Sequence, residues 1–509
     1  MSVIFKMEEC FMLYTSTRDK SVRVTAAQAI VQGISKDGGL FVPTEIPKID
    51  SDFINGLVSL DYISRAKKVL SLYLTDFTEK ELDECVSGAY KDGKFSSKSV
   101  VPLVKYNDDA DILELWRGPT CAFKDVALQL LPYLLTASVK KTVDGKTIVI
   151  LVATSGDTGK AALEGFKNVP GTKIMVFYPN DGVSPMQKLQ MATQEGDNVA
   201  VCAINGNFDD AQNGVKAIFT DKTVAERLEK NNMMFSSANS INWGRLVPQI
   251  VYYISAYCDM IKEGRIKNGD EINIVVPTGN FGNILAAYYA KRMGLPVRKL
   301  ICASNANNVL TDFIKTGTYD KNRKFYLTTS PSMDILISSN LERLLFLLNG
   351  ENDGTVRELM SALSKDGKYT VCESCFKALT ESFDAGFCDD AEAAETISET
   401  YKAGYLLDTH TAVAVNVYDA YVERTGDHTP TVIASTANPY KFSAAVLKAV
   451  AGENSADGLD EFEQVGRLIE ITKEPCPPQL ADLKSKKIRF EKCCEKEAMA
   501  QAVYEMLDI

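Results

Sequence analysis

The sequence predicts an α/β fold built on an open, mostly parallel sheet with helices on both faces. Thr147–Ala153 reads TIVILVA, a continuous apolar and β-rich run that is typical of a parallel strand buried on both faces. Predicted strands and helices then alternate as far as the strand Lys299–Ala303. Two strands end in glycine-rich loops, and open parallel sheets bind ligands at such strand ends. We therefore expect a binding site along the carboxyl edge of the sheet.

A chain of 509 residues is long enough for two or three domains. We predict an optional N-terminal extension over residues 1–12 and a small, helix-rich N-terminal domain over residues 13–95. A large core over residues 96–450, with a helical insertion near 340–400, precedes a C-terminal helical segment over 451–509. After Thr147–Ala153 the predicted elements are helix Gly159–Lys167, strand Lys173–Tyr178, helix Met186–Glu195, strand Val199–Ile204, a helix from Asp209, helix Leu246–Ile261, strand Ile272–Pro277, helix Ile284–Met293 and strand Lys299–Ala303.

Composition argues against several classes of function. The formal net charge of −11 disfavours a nucleic-acid or anionic-membrane surface. No apolar run is long enough to span a bilayer, and the N-terminal MSVIFKMEECFM has no signal-peptide core. We expect a cytoplasmic protein that binds neither nucleic acid nor membrane. The sequence leaves open whether it is a monomer or a homodimer.

Cysteine and histidine usage does not favour a metal site. Cys372 and Cys375 form one C-x-x-C pair, with Cys388 further along. Structural zinc needs four ligands, and no second pair or nearby histidine completes the set. Ordinary thiols on a helix are the favoured interpretation. The chain has only two histidines, His410 and His428, which leaves little material for a Ser-His-Asp triad or a histidine-rich metal centre.

The stretch Glu114–Leu130, ELWRGPTCAFKDVALQL, contains the first candidate for chemistry. Gly118-Pro119 interrupts regular structure, and Lys124 then stands at the start of an apolar, helix-like run. Burial lowers the pKa of a lysine, and a neutral amine can form a Schiff base with an aldehyde. The alternative is a helix-start lysine with its ammonium group in solvent, which is the usual state of an isolated Phe-Lys-Asp.

Two glycine-rich loops each join a predicted strand to a predicted helix. Thr154–Gly159 reads TSGDTG and Thr278–Asn283 reads TGNFGN. Glycines allow a ligand to approach the backbone, and the N–H groups at a helix start bind anions. Neither loop has the Walker A ending or the dinucleotide pattern G-x-G-x-x-G. An ordinary capped turn remains the alternative for each loop.

Two further polar clusters also lie next to predicted elements. Asn239–Arg245, NSINWGR, precedes a long helix, and its arginine can clamp a phosphate or carboxylate. Ala434–Phe442, ASTANPYKF, follows a short strand and places a hydroxyl where a ring nitrogen can meet it. Asp408–Ala412 is short and polar, with a packed His410 as the default interpretation. A buried lysine, a phosphate-binding loop, a second anion loop and a strand-end hydroxyl together describe a pyridoxal phosphate site.

These motifs, in this order, resemble the threonine synthase family: RGPTCAFKD, ATSGDTG, NSINWGR, PTGNFGN and ASTANPYKF. YTSTRDKS and GLFVP near the N-terminus add to the resemblance, which covers roughly residues 13–450. It implies a type II pyridoxal phosphate enzyme fold, similar to the tryptophan synthase β subunit, with the catalytic core over residues 96–450. The cofactor-binding residues that it implies are Lys124 as the Schiff-base lysine, Gly279, Asn280, Phe281, Gly282 and Asn283 around the phosphate, and Thr436 at the pyridine nitrogen.

The resemblance also implies a substrate and a reaction. The substrate would be O-phospho-L-homoserine, converted with water to L-threonine and phosphate by a β,γ-replacement in which Lys124 moves the protons. The implied substrate-binding residues are Ser155, Asp157 and Thr158 near the carboxylate, and Asn242, Arg245 and Lys188 near the phosphate.

One departure and several alternatives accompany this interpretation. Family members commonly carry a histidine before Gly-Pro-Thr, and this chain has Trp116-Arg117 there, although an arginine can pair with phosphate. One alternative is a phospholyase that releases phosphate without completing threonine. Another is a type II dehydratase or O-acetylserine sulfhydrylase, which two anion sites fit less well. A third is a non-catalytic, cofactor-binding homologue, against which the retained lysine and glycine loop argue.

Overall fold

The computed structural model describes residues 11–509 except residues 92, 144, 155 and 182. The predicted N-terminal extension therefore lies outside the described residues apart from its last two positions. The strands are β1 (Tyr14–Ser16), β2 (Phe41–Pro43), β3 (Leu103–Lys105), β4 (Ala110–Glu114), β5 (Thr147–Ala153), β6 (Thr172–Pro179), β7 (Val199–Asn205), β8 (Met233–Ser236), β9 (Ile272–Pro277), β10 (Val297–Ser304), β11 (Thr318–Asp320), β12 (Lys368–Thr370), β13 (Phe383–Phe387), β14 (Thr431–Ser435) and β15 (Cys493–Glu495).

Helices connect most of these strands. The α-helices are Ala26–Gln32, Ser51–Val58, Tyr62–Tyr73, Glu79–Tyr90, Lys124–Thr142, Asp157–Phe166, Pro185–Ala192, Phe208–Thr220, Lys222–Lys230, Trp243–Lys262, Gly282–Met293, Val309–Thr316, Leu341–Leu348, Asp353–Lys365, Glu373–Ser382, Asp390–Lys402, Thr409–Thr425, Ser443–Ala451, Glu461–Thr472, Pro478–Ala481 and Met499–Leu507.

The described part of the chain contains two large sheets, whereas the sequence predicted one. A six-stranded sheet has the order β13-β10-β9-β14-β4-β3 and is parallel except for the antiparallel pair β3 and β4. A five-stranded sheet has the order β15-β7-β6-β5-β8 and is parallel throughout. The α/β class with mostly parallel strands is confirmed. The glycine loops after β5 and β9 consequently leave different sheets.

The two helices that follow the lysine turn and the first glycine loop pack closely against each other. Lys124–Thr142 and Asp157–Phe166 are in contact along their lengths. A Cβ added at Gly165 would lie 2.0 Å from the carbonyl oxygen of Leu128, so a side chain there would separate the helices. This close approach fixes the spacing between the helix that begins at the lysine and the helix that begins beside the loop.

Buried aromatic rings join the N-terminal part of the chain to the core. Trp243 is fully buried, and its ring centroid lies 5.3 Å from that of Tyr14, 5.6 Å from that of Tyr73 and 5.5 Å from that of Tyr289. Offset and edge-on aromatic contacts of this kind add to the apolar area buried. The start of the helix Trp243–Lys262 is therefore held from several sides.

Charged groups reinforce this junction. Arg18, from the TSTRD stretch, donates from Nε and Nη2 to the two carboxylate oxygens of Glu342 over 2.9 and 2.7 Å. The neighbouring Arg343 is fully buried and donates from Nε to Phe41 O over 2.9 Å. Arg343 also donates from Nη2 to Ile241 O over 2.5 Å. The polar N-terminal stretch thus binds the helix Leu341–Leu348 rather than forming a free turn.

The sequence predicted that the C-terminal segment, residues 451–509, is helical, but the structure also contains a strand there. β15 adds to the edge of the five-stranded sheet beside β7, and the helix Met499–Leu507 follows. The strand contains only Cys493-Cys494-Glu495, which is too short to show a period of two. In the described part of the chain, no helix is both long and apolar enough to cross a membrane.

Candidate active site

The predicted reactive lysine begins a helix at the end of a firmly held turn. The N–H of Phe123 donates to Thr436 O over 2.8 Å, which ties the turn to the segment after β14. Asp125 is buried and accepts from the N–H and hydroxyl of Thr120 over 2.8 and 2.6 Å. These contacts fix the backbone of Lys124 from both sides.

The environment of Lys124 shifts its protonation equilibrium toward the neutral form. Its side chain is 12% exposed. Burial lowers the pKa of Lys124 to about 8, although the carboxylate of Asp157 acts in the opposite direction. The positive charges of Lys441 and Arg245 add to the lowering. The Lys124 amine donates to Ser332 Oγ over 3.3 Å, and a neutral amine held in this way can act as a nucleophile or a base.

A buried ion pair lies beside the lysine. Lys441 Nζ is 2.6 Å from one oxygen of Asp157 and donates to Thr120 O over 2.9 Å. The other Asp157 oxygen is 3.9 Å from Lys124 Nζ. Burial alone would raise the pKa of Asp157, but Lys441 and Lys124 outweigh it and lower that pKa to about 2. Asp157 is therefore a fixed negative charge next to two lysines.

The loop after β5 is closed by the side chain of Thr154 and leads into a helix start. The hydroxyl oxygen of Thr154 accepts from the N–H groups of Gly156 and Gly159 over 3.0 and 3.1 Å. Ser155, predicted to bind substrate, lies outside the described residues. Thr158 is half-buried in the first turn of the following helix. The early N–H groups of a helix lack intrahelical partners and favour anions.

The loop after β9 is shaped by donors that bind its carbonyl groups. Ser338 Oγ donates to Gly279 O over 2.8 Å, and Asn340 donates to Asn280 O from both its backbone N–H and its side chain, each over 3.1 Å. Phe281 has a left-handed backbone with φ of 62°, which is uncommon for a residue with a side chain. The predicted loop residues thus lead directly into the helix Gly282–Met293.

Close packing explains the first glycine of this loop. A Cβ added at Gly279 would lie 2.6 Å from Ser332 O, so only glycine allows the segment around Ser332 to lie against the loop. The atoms nearest to a Cβ added at Gly282 are Asn340 Nδ2 at 3.4 Å and Asn340 Cγ and Gln249 Nε2 at 3.9 Å, which are ordinary contacts. A methyl group would therefore fit at this position.

The last residue of the loop has an incompletely satisfied side chain. Asn283 is buried, and its Oδ1 accepts from the hydroxyls of Tyr252 and Tyr253. Its Nδ2 is buried and has no hydrogen-bond partner among the described residues. A buried donor left without a partner is costly, so the position favours an acceptor supplied by a ligand.

Arg245 is a buried cation without a carboxylate partner. Its side chain is 4% exposed, and burial lowers its pKa to about 10. Nη1 donates to Ala238 O over 3.0 Å, while Nε has no hydrogen-bond partner, and no Asp or Glu of the described chain pairs with it within 4 Å. A buried guanidinium that lacks a counter-ion is suited to an anionic ligand.

Asn242, predicted to meet a substrate phosphate, is already engaged by protein groups. Its Nδ2 donates to Ile30 O and Ser237 O over 3.0 and 2.8 Å, and its Oδ1 accepts from the N–H of Gly244 over 2.9 Å. The side chain is fully buried. In this arrangement Asn242 caps a helix and holds the loop that carries Arg245, so a direct contact with substrate is not what its geometry favours.

Lys188 occupies a different position from Arg245. It is half-buried on the helix Pro185–Ala192 and donates to Asn180 Oδ1 over 2.9 Å. The preceding Gln187 faces the first glycine loop, since a Cβ added at Gly156 would lie 2.8 Å from Gln187 Nε2. The helix that carries Lys188 thus abuts that loop.

The residues that replace the usual histidine are occupied elsewhere. Trp116 Nε1 donates to Ser435 Oγ over 2.9 Å, next to Thr436, which is 6% exposed after β14. Arg117 donates to Glu114 over 2.7 Å and stacks on the Trp116 ring with 4.3 Å between the guanidinium carbon and the ring centroid. Arg117 is therefore an internal ion-pair partner, and its pairing with a substrate phosphate is not favoured.

His410 and Ser332 reach the site, and sequence reasoning assigned a role to neither of them. The N–H of Ser332 donates to His410 Nε2 over 3.1 Å, and His410 Nδ1 lies 3.0 Å from Asp408 Oδ1. Ser332 Oγ in turn accepts from Lys124. No motif marks Ser332, which lies in the short 3-10 helix Pro331–Met333, far along the chain from Lys124. His410 gave one usable signal, since it is one of only two histidines and follows an aspartate by two residues.

Lys441 is the third residue that sequence reasoning missed. It belongs to the motif ASTANPYKF and is the only charged residue there. Lys441 is 7% exposed and is paired with Asp157. Only the fold reveals this burial and this pairing. Lys124, Asp157, Lys441, Arg245 and Ser332 together form a cluster with more cations than anions.

Comparisons with known proteins agree with these motifs along the chain. The family "Threonine synthase N terminus" matches residues 13–90, "Pyridoxal-phosphate dependent enzyme" matches 113–436 and "Threonine synthase, C-terminal" matches 411–504. The chain is 35% identical to "Threonine synthase" of Saccharomyces cerevisiae over 98% of its own length and 99% of that protein. It resembles the crystal structure of "PLP bound Threonine synthase from Brucella melitensis" with a TM-score of 0.87 and 37% identity, over 97% of this chain and 99% of that one.

A second kind of relative is more similar in sequence but longer. The human protein "Threonine synthase-like 1" is 41% identical over 435 residues, which are 83% of this chain. The alignment covers 58% of that protein, so this chain spans little more than half the length of these relatives.

Proposed function

Because the chain belongs to the threonine synthase family of pyridoxal-phosphate-dependent enzymes, we propose that it converts O-phospho-L-homoserine and water to L-threonine and phosphate. The observation that carries this proposal is Arg245, a buried guanidinium without a carboxylate partner that lies close enough to Lys124 to lower its pKa. The second anion group of the substrate, its carboxylate, requires another receptor, and the loop after β5 supplies one.

The residues present fit the family's cofactor, pyridoxal phosphate. Lys124, with a lowered pKa, is the residue that would hold the aldehyde carbon, and the helix start at Gly282 would hold the phosphate. The partnerless Nδ2 of Asn283 is a donor that a ligand oxygen could satisfy. Thr436 would meet the pyridine nitrogen. When bound, this cofactor provides an electron sink for negative charge on the substrate carbons.

The remaining side chains have roles in proton transfer and charge balance. The Lys124 amine takes the proton from the substrate Cα and then moves protons at Cβ and Cα, because its pKa of about 8 allows both protonation states near neutrality. Asp157 stays ionised and balances the charges of Lys441 and Lys124. Water adds at Cβ after phosphate leaves from Cγ.

Substrate orientation follows from the separation of the anion receptors. Arg245 would hold the substrate phosphate, on a loop that Asn242 holds in place. Thr158 and the first N–H groups of the helix Asp157–Phe166 would hold the carboxylate. The carboxylate of Asp157 itself repels a substrate carboxylate, and its ion pair with Lys441 reduces that repulsion.

The test is a product balance with purified protein and pyridoxal phosphate. O-Phospho-L-homoserine is supplied, and released phosphate and L-threonine are measured in the same samples. Equal amounts support the proposal. If the cofactor-loaded protein forms neither phosphate nor threonine, the proposal is contradicted. A cofactor-binding homologue without this activity would then be favoured.

A second candidate is a phospholyase that eliminates phosphate without completing threonine. The 41% identity to a protein named "Threonine synthase-like 1" favours keeping this candidate. It predicts phosphate release in excess of threonine in the same assay. The absorption of the bound cofactor would not separate the two candidates, because both require Lys124.

A further inference from the structure

A pair of thiols lies outside the lysine site, at the start of the helix Glu373–Ser382. Cys372 is the N-cap residue with an extended backbone (φ −68°, ψ 162°), and it is exposed. Cys375 lies one turn later and is fully buried. The sequence shows only their C-x-x-C spacing, and the structure adds that a reagent can reach one thiol and not the other.

One side chain contacts both sulfur atoms. Asn349 Nδ2 donates to Cys375 Sγ over 3.4 Å, and Asn349 Oδ1 accepts from Cys372 Sγ over 3.7 Å. The two sulfurs therefore lie against the same amide group. Residues three apart at a helix start lie on one face with Cβ atoms about 5–6 Å apart. A disulfide needs a Cβ separation of about 3.5–4.5 Å, which a local shift of the exposed N-cap residue can provide.

The surroundings give the two thiols different reactivities. The hydroxyl of Ser374, 3.2 Å away, lowers the pKa of Cys372, and the N–H groups of Cys375 and Ser374 lower it further. Burial raises the pKa of Cys375 to about 11. A thiolate at a helix N-terminus in a C-x-x-C pair is the attacking group in thiol–disulfide exchange, whereas a buried thiol with a raised pKa is less accessible and less often ionised.

We propose that Cys372 and Cys375 form a reversible dithiol–disulfide site that exchanges with low-molecular-weight disulfides. The Cys372 thiolate attacks one sulfur of the small disulfide, forms a mixed disulfide and releases one thiolate. Cys375 then loses its proton and attacks the Cys372 sulfur, which releases the second small thiol. In sum, two protein thiols are oxidised to one disulfide, and one small disulfide is reduced to two thiols. The proposal does not depend on the reaction at Lys124.

The test uses the full-length protein and oxidised glutathione. Trypsin cleavage after Lys368 and Lys377 places both cysteines in one peptide, residues 369–377. After equilibration and acid quenching, mass spectrometry should show that this peptide has lost two hydrogens and resists alkylation. Dithiothreitol should restore both thiols.

Variants distinguish a resolving pair from a single reactive thiol. Cys375→Ala should trap one glutathione on Cys372, and Cys372→Ala should leave Cys375 unmodified. Cys493, also exposed, provides the control, because Cys493→Ser should leave the result for residues 369–377 unchanged. The proposal is overturned if both thiols stay alkylatable under conditions that modify Cys493. It is also overturned if a folded Cys375→Ala protein, checked by circular dichroism, traps no glutathione on Cys372.

Discussion

Replacing Arg245 tests the phosphate receptor directly. The guanidinium is 4% exposed, its Nε has no hydrogen-bond partner among the described residues, and its recorded protein contact is one hydrogen bond to Ala238 O. A charge-assisted hydrogen bond contributes about 1.5–3 kcal/mol. At about 1.4 kcal/mol per factor of ten, Arg245→Ala should raise the KM for O-phospho-L-homoserine by roughly ten- to a hundredfold.

The same geometry predicts an unusual stability result. A buried charge without a counter-ion is unfavourable, so Arg245→Met should not lower the Tm in phosphate-free buffer. Inorganic phosphate should raise the Tm of the wild-type protein more than that of Arg245→Met. This readout needs no catalysis, and it therefore separates loss of the receptor from damage elsewhere.

The assay measures initial rates at sub-saturating substrate, with a non-phosphorylated amino acid as the comparison ligand. The matched control is Arg467→Ala, because Arg467 is exposed and, among the described residues, forms its ion pair with Glu470 over 2.9 Å. That variant should match wild type. If Arg245→Ala also matches wild type, or if it weakens both ligands equally, the assignment of Arg245 to the substrate phosphate is wrong.

Three further outcomes are expected. Purified protein loaded with pyridoxal phosphate should be yellow, and Lys124→Ala should lose that absorption band, because a buried amine of lowered pKa is the group that binds an aldehyde. A band that persists in the variant would place the cofactor on another lysine. Gly282→Asp should weaken cofactor binding in an equilibrium titration, because it adds a negative charge beside the proposed phosphate site. Gly282→Ala should change the affinity little, since its Cβ would meet atoms no closer than 3.4 Å. Equal affinities for the two variants would mean that the phosphate lies elsewhere. Lys441→Met should raise the pKa of Lys124, because it removes a nearby positive charge. The pH at which the apoprotein binds the cofactor at half its maximal rate should therefore rise. An unchanged or lower pH would contradict the effect of Lys441 on the pKa of Lys124.

Local sequence was sufficient for the elements and loops that follow short-range rules. Thr147–Ala153 and Ile272–Pro277 are strands with the predicted bounds, because short runs dominated by apolar, β-branched residues favour a buried strand. The glycine loops after them were identifiable because glycine and polar residues between a strand and a helix have recognisable turn chemistry. Lys124 stood out for the same reason, at a helix start after Gly-Pro.

Strand pairing and buried charge were decided only by the tertiary structure. An apolar run indicates that a strand is buried, but it does not indicate which strand lies beside it. The division into two sheets and the pairing of β15 with β7 were therefore not predictable. Lys441 is separated from Asp157, and Ser332 from Lys124, by hundreds of residues, and no local pattern encodes such contacts.

The sequence by itself determined that the chain contains a lysine turn, two glycine-rich loops between a strand and a helix, and a polar cluster that ends in Arg245. The tertiary structure decided which of these groups are free to bind a ligand. Asn242 and Arg245 come from the same motif, yet the amide of Asn242 is used by protein backbone while the guanidinium of Arg245 keeps an unused donor. The physical reason is that a side chain's availability depends on long-range burial and hydrogen bonding, which arise only when distant segments pack together.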